Sequence, residues 1–524
     1  MELKPGEIEF NAEFSKALAM MEKTSKNVFV TGRAGTGKST LLSYFRDSTA
    51  KEVVVLAPTG VAALNVGAQT IHSFFRFKPG VTPEKVKKVE KDEVFKALDA
   101  IVIDEVSMAR SDLLDCIDAF MRLNGRDKAK PFGGVQMIFI GDLYQLPPVM
   151  SQNEKELFST VYAGPYFFNS LAMNGLDLEM IELEKNYRQK DEHFIRLLNS
   201  IRNNSATPQD ILALNSRANP AFVPSENNFF VTLTTTNADA EEVNRLRLSQ
   251  LKEKQFSFKA VVKGKIAKEY YPTSDDLVLK KGSQVMLLNN DAEKNWVNGS
   301  IGKITSLSNS LPSGLEGEGE FIDVLLDSGE SIEVSPFKWS VLDHSFDSKT
   351  KSIATKSIGS FTQYPMRLAW AVTIHKAQGK TFDNVVVDFG RGTFAHGQAY
   401  VALSRCRTLE GMVLKKPLEK KHVFMDWRVV NYQTAFQYKK SEAEMPLAEK
   451  ISLIQKAIEQ KSSLEITYLK ASDVKSVRAI QPKSVGEMDY LGKKYLGLKA
   501  FCEKSQGERN FRVDRIIKIG KAEK

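Results

Sequence analysis

Cysteine is nearly absent: three in 524 residues, Cys116, Cys406 and Cys502, far apart and in no metal-spaced pair. That excludes a disulfide framework and a cysteine zinc site, and points to a reducing compartment. No apolar run approaches the roughly 20 residues a membrane-spanning helix needs. The N-terminus, Met1-Glu2-Leu3-Lys4-Pro5-Gly6, lacks both a basic start and an apolar stretch, so no secretory signal is expected and the chain reads as cytoplasmic. Tandem repeats and long low-complexity runs are also missing. What remains, 42% apolar and 26% charged, is the composition of a soluble globular protein. The length exceeds one ordinary core, and about three to four domains are expected.

The net charge of +9 is unevenly placed: residues 451–524 hold 16 Lys+Arg against 9 Asp+Glu. By charge alone this tail is either a solvated basic surface or a polyanion-binding appendage.

The most informative stretch is Thr31-Gly32-Arg33-Ala34-Gly35-Thr36-Gly37-Lys38-Ser39, which fits the phosphate-loop pattern G-x-x-x-x-G-K-[ST]. A β-branched and aromatic run, Asn27-Val28-Phe29-Val30, precedes it, and Thr40-Leu41-Leu42-Ser43-Tyr44-Phe45 follows as the first turns of a helix. Strand, glycine loop and helix aim backbone N–H groups and a helix N-terminus at an anion. Lys38 would reach the β- and γ-phosphates and Ser39 would hold Mg²⁺.

Further strands are expected at 52–57, 100–103 and 134–140, and after about residue 185 the pattern restarts with strands at 229–233 and 385–388. Alternating strands and helices, each strand ending in a polar cluster, predict parallel sheets with sites at the strands' carboxyl ends. Residues 78–95, lysine-rich and short of apolar residues, read as a surface insertion; 255–360 read as a β-rich insertion and 427–450 as a connector. Asp104 and Glu105 end a buried strand, where one carboxylate suits Mg²⁺ and its neighbour suits polarising a water. Gln145, in Gly141-Asp142-Leu143-Tyr144-Gln145-Leu146-Pro147-Pro148, is placed to contact a γ-phosphate. Charge growing on a transferred phosphoryl group calls for arginines from the opposite side, for which Arg188 and Arg405 stand out. His72, Phe74, Phe75, His375 and Lys376 gather rings and charge that suit single-stranded bases, although phenylalanines are as readily core.

The ordered set of these motifs, with Ala57-Pro58-Thr59-Gly60, Tyr187-Arg188-Gln189, Thr373-Ile374-His375-Lys376-Ala377-Gln378-Gly379 and Tyr400-Val401-Ala402-Leu403-Ser404-Arg405, resembles the superfamily 1B DNA helicases. Within them, Lys130-Pro131-Phe132-Gly133-Gly134-Val135-Gln136 is similar to the signature of the Pif (petite integration frequency) helicases. The resemblance covers residues 8–425 and implies an α/β fold: two RecA-like lobes (1–184 and 185–426), a wedge insertion at about 76–98 and an SH3-like β insertion at about 290–360. It implies ATP and Mg²⁺ between the lobes, with Gly32, Ala34, Gly35, Thr36, Gly37, Lys38, Ser39, Thr40 and Gly379 around the nucleotide. Asp104 would hold the metal, Glu105 would be the base, and Gln145, Arg188 and Arg405 would sense the γ-phosphate. Pro58, Thr59, His72, Phe74, Phe75, Thr235, Asn237, Thr373, His375 and Lys376 would line a single-stranded DNA track, with movement 5′ to 3′ by a monomer acting at single-strand/duplex junctions on the nucleoid. G-quadruplexes and RNA–DNA hybrids stay open as further substrates. Where many relatives carry a Gln that reads adenine, this chain has Phe14.

The tail, 451–524 after a linker at 427–450, resembles a WYL domain, a small Sm/SH3-like β-barrel. The likeness lies in Ile466-Thr467-Tyr468, Arg478-Ala479-Ile480-Gln481-Pro482, Lys494-Tyr495-Leu496 and Arg509-Asn510-Phe511-Arg512. Lys494 stands at the Trp position of the triplet. Arg478, Tyr495, Arg509 and Arg512 would form a face for single-stranded DNA; the alternative is a domain that only packs on the motor. The resulting expectation is an ATP-dependent DNA helicase or translocase. The rival is a DNA-binding regulator acting through its WYL domain beside a vestigial motor.

Overall fold

The computed structural model describes residues 9–521 except 66–67, 79, 151, 226–227, 265–267, 269–270, 308–320, 348–351 and 472. Among the described residues, no helix is long and apolar enough to cross a membrane. The chain divides into two compact units, one of residues 1–201 and 207–424, the other of 202–206 and 425–524.

The first lobe is a six-stranded, all-parallel sheet in the order Gln69–Thr70, Val53–Ala57, Ala100–Ile103, Gln136–Gly141, Asn27–Gly32, Leu178–Leu183. The central strands are apolar along their length, as a sheet covered on both faces requires. Helix Ala12–Lys23 starts at Asn11, whose Oδ1 accepts from the Phe14 amide at 2.8 Å. It buries Phe14, Ala17 and Met21 against Leu41, Leu42 and Phe45 of the next helix. Its C-terminal carbonyls are met by two side chains, Lys51 from the bend before strand Val53–Ala57 and Gln136 from the start of strand Gln136–Gly141. Lys51 Nζ donates to the carbonyls of Met21 (2.6 Å) and Thr24 (2.7 Å) and to Gln136 Oε1 (2.6 Å). Gln136 Nε2 donates to the carbonyls of Met20 (3.2 Å) and Lys26 (2.7 Å). A cation at a helix C-terminus also complements the helix dipole.

The segment read as a lysine-rich surface insertion is anchored on helix Ser111–Asn124. Asn124, fully buried, accepts from the Val89 amide (2.8 Å) and donates to the Lys87 carbonyl (3.5 Å). Val94 and Leu98 turn inward while Lys96 between them stays in solvent.

The second lobe has a four-stranded parallel sheet in the order Ala371–Thr373, Val231–Thr234, Val385–Asp388, Met412–Leu414. Between Val231–Thr234 and Ala371–Thr373 the chain inserts antiparallel β-structure. Five strands from Gln284–Leu287 to Met366–Leu368 form one sheet around Trp296, Ile304, Val324 and Tyr364. A long hairpin, Phe337–Asp347 with Ser352–Gln363, pairs with Val261–Lys263.

The C-terminal unit is a five-stranded antiparallel sheet in the order Gly507–Arg512, Lys493–Cys502, Lys475–Tyr490, Leu464–Leu469, Ile516–Lys521. Helix Leu447–Glu459 covers its core with Ile454 and Ala457. The segment read as a connector is helical over Trp427–Glu444 and belongs to this unit, where Ser441 Oγ donates to the Ile517 carbonyl at 3.1 Å.

Gln136→Leu removes an acceptor and two donors from a buried network. With unpaired buried groups costing about 1–3 kcal/mol each, the variant is expected to lose about 3 kcal/mol of stability. Calorimetry reads this as a lower midpoint for the large unit; an unchanged midpoint would contradict the role given to the network.

Candidate functional site

The phosphate loop leaves the central strand Asn27–Gly32 at the carboxyl edge of the first sheet. Helix Lys38–Ser48 begins at Gly37, which is left-handed (φ 88°) and offers no side-chain cap. The first-turn N–H groups therefore remain aimed at whatever anion sits in the loop. Lys38 Nζ donates to the carbonyls of Gly32 (2.7 Å) and Arg33 (3.0 Å), holding the loop in its curl. Gly35, at φ 82°, is a place where only glycine fits: an added Cβ would lie 2.5 Å from Arg188 Cβ. That close approach brings 186–189 onto the loop, with the Tyr187 amide donating to the Gly35 carbonyl at 2.8 Å.

Asp104 and Glu105 follow the buried strand Ala100–Ile103, two strands from the loop. Glu105 is left-handed (φ 48°, ψ 43°), a conformation costing a non-glycine residue about 1–2 kcal/mol. Burial first, then the neighbouring Glu105, push the Asp104 carboxyl up to about 7. Burial also raises Glu105, while Lys38, Arg405 and a hydrogen bond from Gln378 oppose the rise. A crowded carboxylate pair, Asp104 buried and Glu105 half-buried, within the field of the phosphate loop's Lys38 is a donor set that fits a hard divalent cation. Gln145, 4% exposed, lies on the segment after strand Gln136–Gly141.

The second lobe supplies the opposite wall. Arg188 donates to the carbonyls of Ser404 (3.1 Å) and Gly379 (3.4 Å). Arg405 donates to the carbonyls of Val401 (2.9 Å) and Lys380 (3.2 Å) and to Ser404 Oγ (2.9 Å). Burial lowers both guanidinium pKa values, and Arg405 adds to the effect on Arg188, which falls to about 9. A buried cation, Arg405, and a half-buried one, Arg188, both held by neutral groups, are poised for an anion. Tyr400 Oη accepts from the Ala34 amide at 2.9 Å, so one side chain of the second lobe bonds the phosphate loop directly. Gly397 (φ 72°) lets helix Gln398–Leu403 start against the carbonyls of Tyr144 and Gln145, where a Cβ would collide.

Sequence reasoning missed three positioning residues. Asn186 Oδ1 accepts from the amides of Arg188 (2.8 Å) and Gln189 (3.1 Å). Gln189 Nε2 donates to the carbonyls of Ser404 (3.2 Å) and Cys406 (2.9 Å). Gln378 Nε2 donates across the cleft to Glu105 Oε2 at 2.9 Å. Each sits within or beside a motif read for another residue, which was the available signal.

The expected DNA track is only partly open. His72, His375 and Lys376 are half-buried and Asn237 is exposed. Pro58 and Thr59 are half-buried, and Thr59 Oγ1 accepts from the Ala62 amide at 3.2 Å, capping helix Gly60–Asn65. Phe74 (7% exposed) and Phe75 (3%) correct the expectation of stacking: their rings pack with Phe95, and Phe75 also with Phe120, in an aromatic core. Thr235 and Thr373 are likewise buried, and Thr373 Oγ1 is occupied by the Lys376 amide at 3.3 Å. The structure adds Phe394, 63% exposed, with its ring nearly parallel to His375 at 6.3 Å. Phe14 is part of the first lobe's core.

Within the C-terminal unit the expected single face divides in two. Arg512 lies over the Tyr495 ring (5.5 Å) and pairs with Asp514. Arg478 is on the core side of its strand, in line with buried Ile480, and donates to Cys502 Sγ at 3.5 Å. Arg509 Nε donates to Ser505 Oγ at 3.3 Å, at the same end as Cys502. Strand alternation separates the two groups, because residues an odd number apart point to opposite faces.

Because Asp104 carries a proton up to about pH 7 and a cation must displace it, Mg²⁺·ADP binding is expected to weaken as pH falls through 7, approaching tenfold per unit below it. Titration calorimetry between about pH 6 and 8 measures this; a flat affinity would refute it.

Comparison with known proteins agrees with this geometry. The PIF1-like helicase family model matches residues 10–210 and the WYL domain model matches 449–519. The crystal structure of Bacteroides sp Pif1 in complex with ADP-AlF4 is 36% identical, with a TM-score of 0.74 over 82% of this chain and 98% of that one. Bacteroides Pif1 bound to ssDNA is 36% identical, with a TM-score of 0.61 over 82% and 97%. The ATP-dependent DNA helicase Pif1 of Bdellovibrio bacteriovorus is 29% identical over 82% of this chain and 93% of its own length. The chain spans 58–61% of the length of the vertebrate PIF1 relatives that it matches. On these matches the chain belongs to the PIF1-like helicase family of DNA helicases and carries a C-terminal WYL domain.

Proposed function

We propose that the chain is an ATP- and Mg²⁺-dependent motor that moves 5′ to 3′ on single-stranded DNA and separates strands from a 5′ tail. The observation that carries this reading is the shared wall of the cleft. The phosphate loop and both carboxylates come from one lobe, both arginines from the other, and Tyr400 and Gln378 bond across. A nucleotide held by both walls fixes the spacing of the lobes, and hydrolysis relaxes it. His72 lies on one lobe and Asn237, His375, Lys376 and Phe394 on the other, so a change in lobe spacing changes the span along a bound strand. Bases would stack on His375 and Phe394, each at about 1–3 kcal/mol.

In this reading Lys38 neutralises the β- and γ-phosphates, Ser39 and Asp104 hold Mg²⁺, and Glu105 takes the proton of the attacking water. Bound Mg²⁺ supplies charge neutralisation between the phosphates. Arg188, Arg405 and Gln145 contact the γ-phosphate. The buried Phe14 offers no hydrogen bond to a base, so adenine is selected weakly. The solved relative with ssDNA supports single-stranded DNA and its junctions with duplex as the partners. In the WYL domain, Arg512 and Tyr495 form the surface we assign to single-stranded DNA.

Strand separation on partial duplexes tests the motor. Wild type is expected to unwind a 5′-tailed and not a 3′-tailed substrate, and Lys38→Ala to unwind neither. Single-strand-stimulated ATP turnover without unwinding would replace helicase by translocase, and no turnover would favour the WYL regulator. Glu105→Gln is expected to keep ATP and DNA binding and lose about 10²–10⁴ in turnover. Arg512→Ala is expected to weaken single-strand binding and lower the salt slope by about 0.7; an unchanged slope would leave the WYL domain without a phosphate contact there.

A further inference from the structure

We propose that Gln378 is a positioning residue for hydrolysis: its amide nitrogen fixes Glu105 and its carbonyl oxygen accepts a hydrogen of the attacking water. This rests on the reading of the cleft as an ATP-hydrolysing site. Gln378 is 5% exposed, and its Nε2 donates to Glu105 Oε2 at 2.9 Å. A carboxylate only accepts, so the amide must present its nitrogen to Glu105 and turn its oxygen away. That oxygen, Oε1, is buried and has no hydrogen-bond partner among the described residues. A buried amide carbonyl left unpaired costs stability, and native proteins keep few of them without a ligand or water to fill the vacancy.

A water poised for attack has two hydrogens to place. Glu105 accepts the one it will remove, and the second needs another acceptor or the molecule rotates freely. Gln378 Oε1 belongs to the same planar amide as the nitrogen on Glu105, so the two acceptors sit side by side and fix the water between them. In the reaction the water oxygen bonds to the terminal phosphorus while the bridging P–O bond breaks. The electron pair leaves with ADP, one proton passes to Glu105, and Gln378 is unchanged.

The backbone around Gln378 extends the argument. Residues 373–380 form consecutive turns, with Ala377 N bonded to the Thr373 carbonyl (3.0 Å), Gln378 N to that of His375 (3.2 Å) and Lys380 N to that of Ala377 (3.1 Å). The same turns carry His375 and Lys376, and their carbonyls at Gly379 and Lys380 accept from Arg188 (3.4 Å) and Arg405 (3.2 Å). A strand seated on His375 and Lys376 therefore bears on one segment whose contacts include the base and both arginines. Gln378 is the side chain through which single-stranded DNA accelerates hydrolysis.

The test uses the full chain with ATP, Mg²⁺ and oligo-dT. For Gln378→Ala, kcat at saturating oligo-dT is expected to fall about 10²-fold, with KM for ATP and Kd for oligo-dT within about threefold. Stimulation by oligo-dT should shrink by a similar factor. ADP with aluminium fluoride should bind more weakly while ADP binds as before, a split that general damage to the cleft would not give. A kcat within about threefold of wild type, or equal losses for ADP and ADP with aluminium fluoride, overturns the proposal. Should Gln378→Ala fail to fold, Gln378→Met fills the same volume without a hydrogen bond and is judged by the same criteria. A wild type without turnover would instead overturn the reading of the cleft on which this rests.

Discussion

Everything in the cleft depends on how closely the second lobe can approach the phosphate loop. Gly35 has no Cβ, and Arg188 Cβ occupies the space one would need. Tyr187, Asn186 and Tyr400 then satisfy loop backbone groups that would otherwise face solvent or ligand. The Tyr187 contact is backbone to backbone, and the Asn186 and Tyr400 side chains add two bonds to the backbone of Ala34, so the loop is tied to the 186–189 segment and to the second lobe. A nucleotide in the loop therefore cannot be bound without reporting to the second lobe. In the proposed reading, this constraint lets a phosphate site act as the switch of a two-lobed motor.

Electrostatics follow from that closeness. Two carboxylates and two guanidiniums share one cleft, Asp104 and Arg405 buried and Glu105 and Arg188 half-buried, and the loss of water holds each away from its ordinary pKa. None forms a closed ion pair with its opposite; the arginines rest on carbonyls and Glu105 on an amide. Such an arrangement is costly to the fold and is favoured once a polyanion with its cation enters. The left-handed backbone at Glu105 adds to that cost and aims the carboxylate into the cleft.

The DNA side is built more loosely. Few of its side chains are exposed, and most of the rings near it are structural: Phe74, Phe75, Phe95 and Phe120 form the packing under the wedge segment. The more accessible rings, His375 and Phe394, lie 19 residues apart on either side of strand Val385–Asp388. Their pairing belongs to the fold of the second lobe. In the WYL unit, the divided arginines likewise give one half-buried aromatic-cationic pair and one group beside the core.

The sequence by itself determined the parts governed by local periodicity and fixed spacing. The phosphate loop, the strands that end in Asp104 and Gly141, the order of the motifs and the tail's likeness to a WYL barrel were all legible there. Short strands such as Gln69–Thr70, Ala371–Thr373 and Met412–Leu414 were not, because two or three residues carry too little pattern to register. Tertiary structure alone decided which phenylalanines are core, since Phe75 and Phe394 look alike until their neighbours are known. It also decided that Asn186, Gln189 and Gln378 act as positioning residues. An amide's role is set by the partner opposite it, and those partners lie up to 273 residues away in the chain.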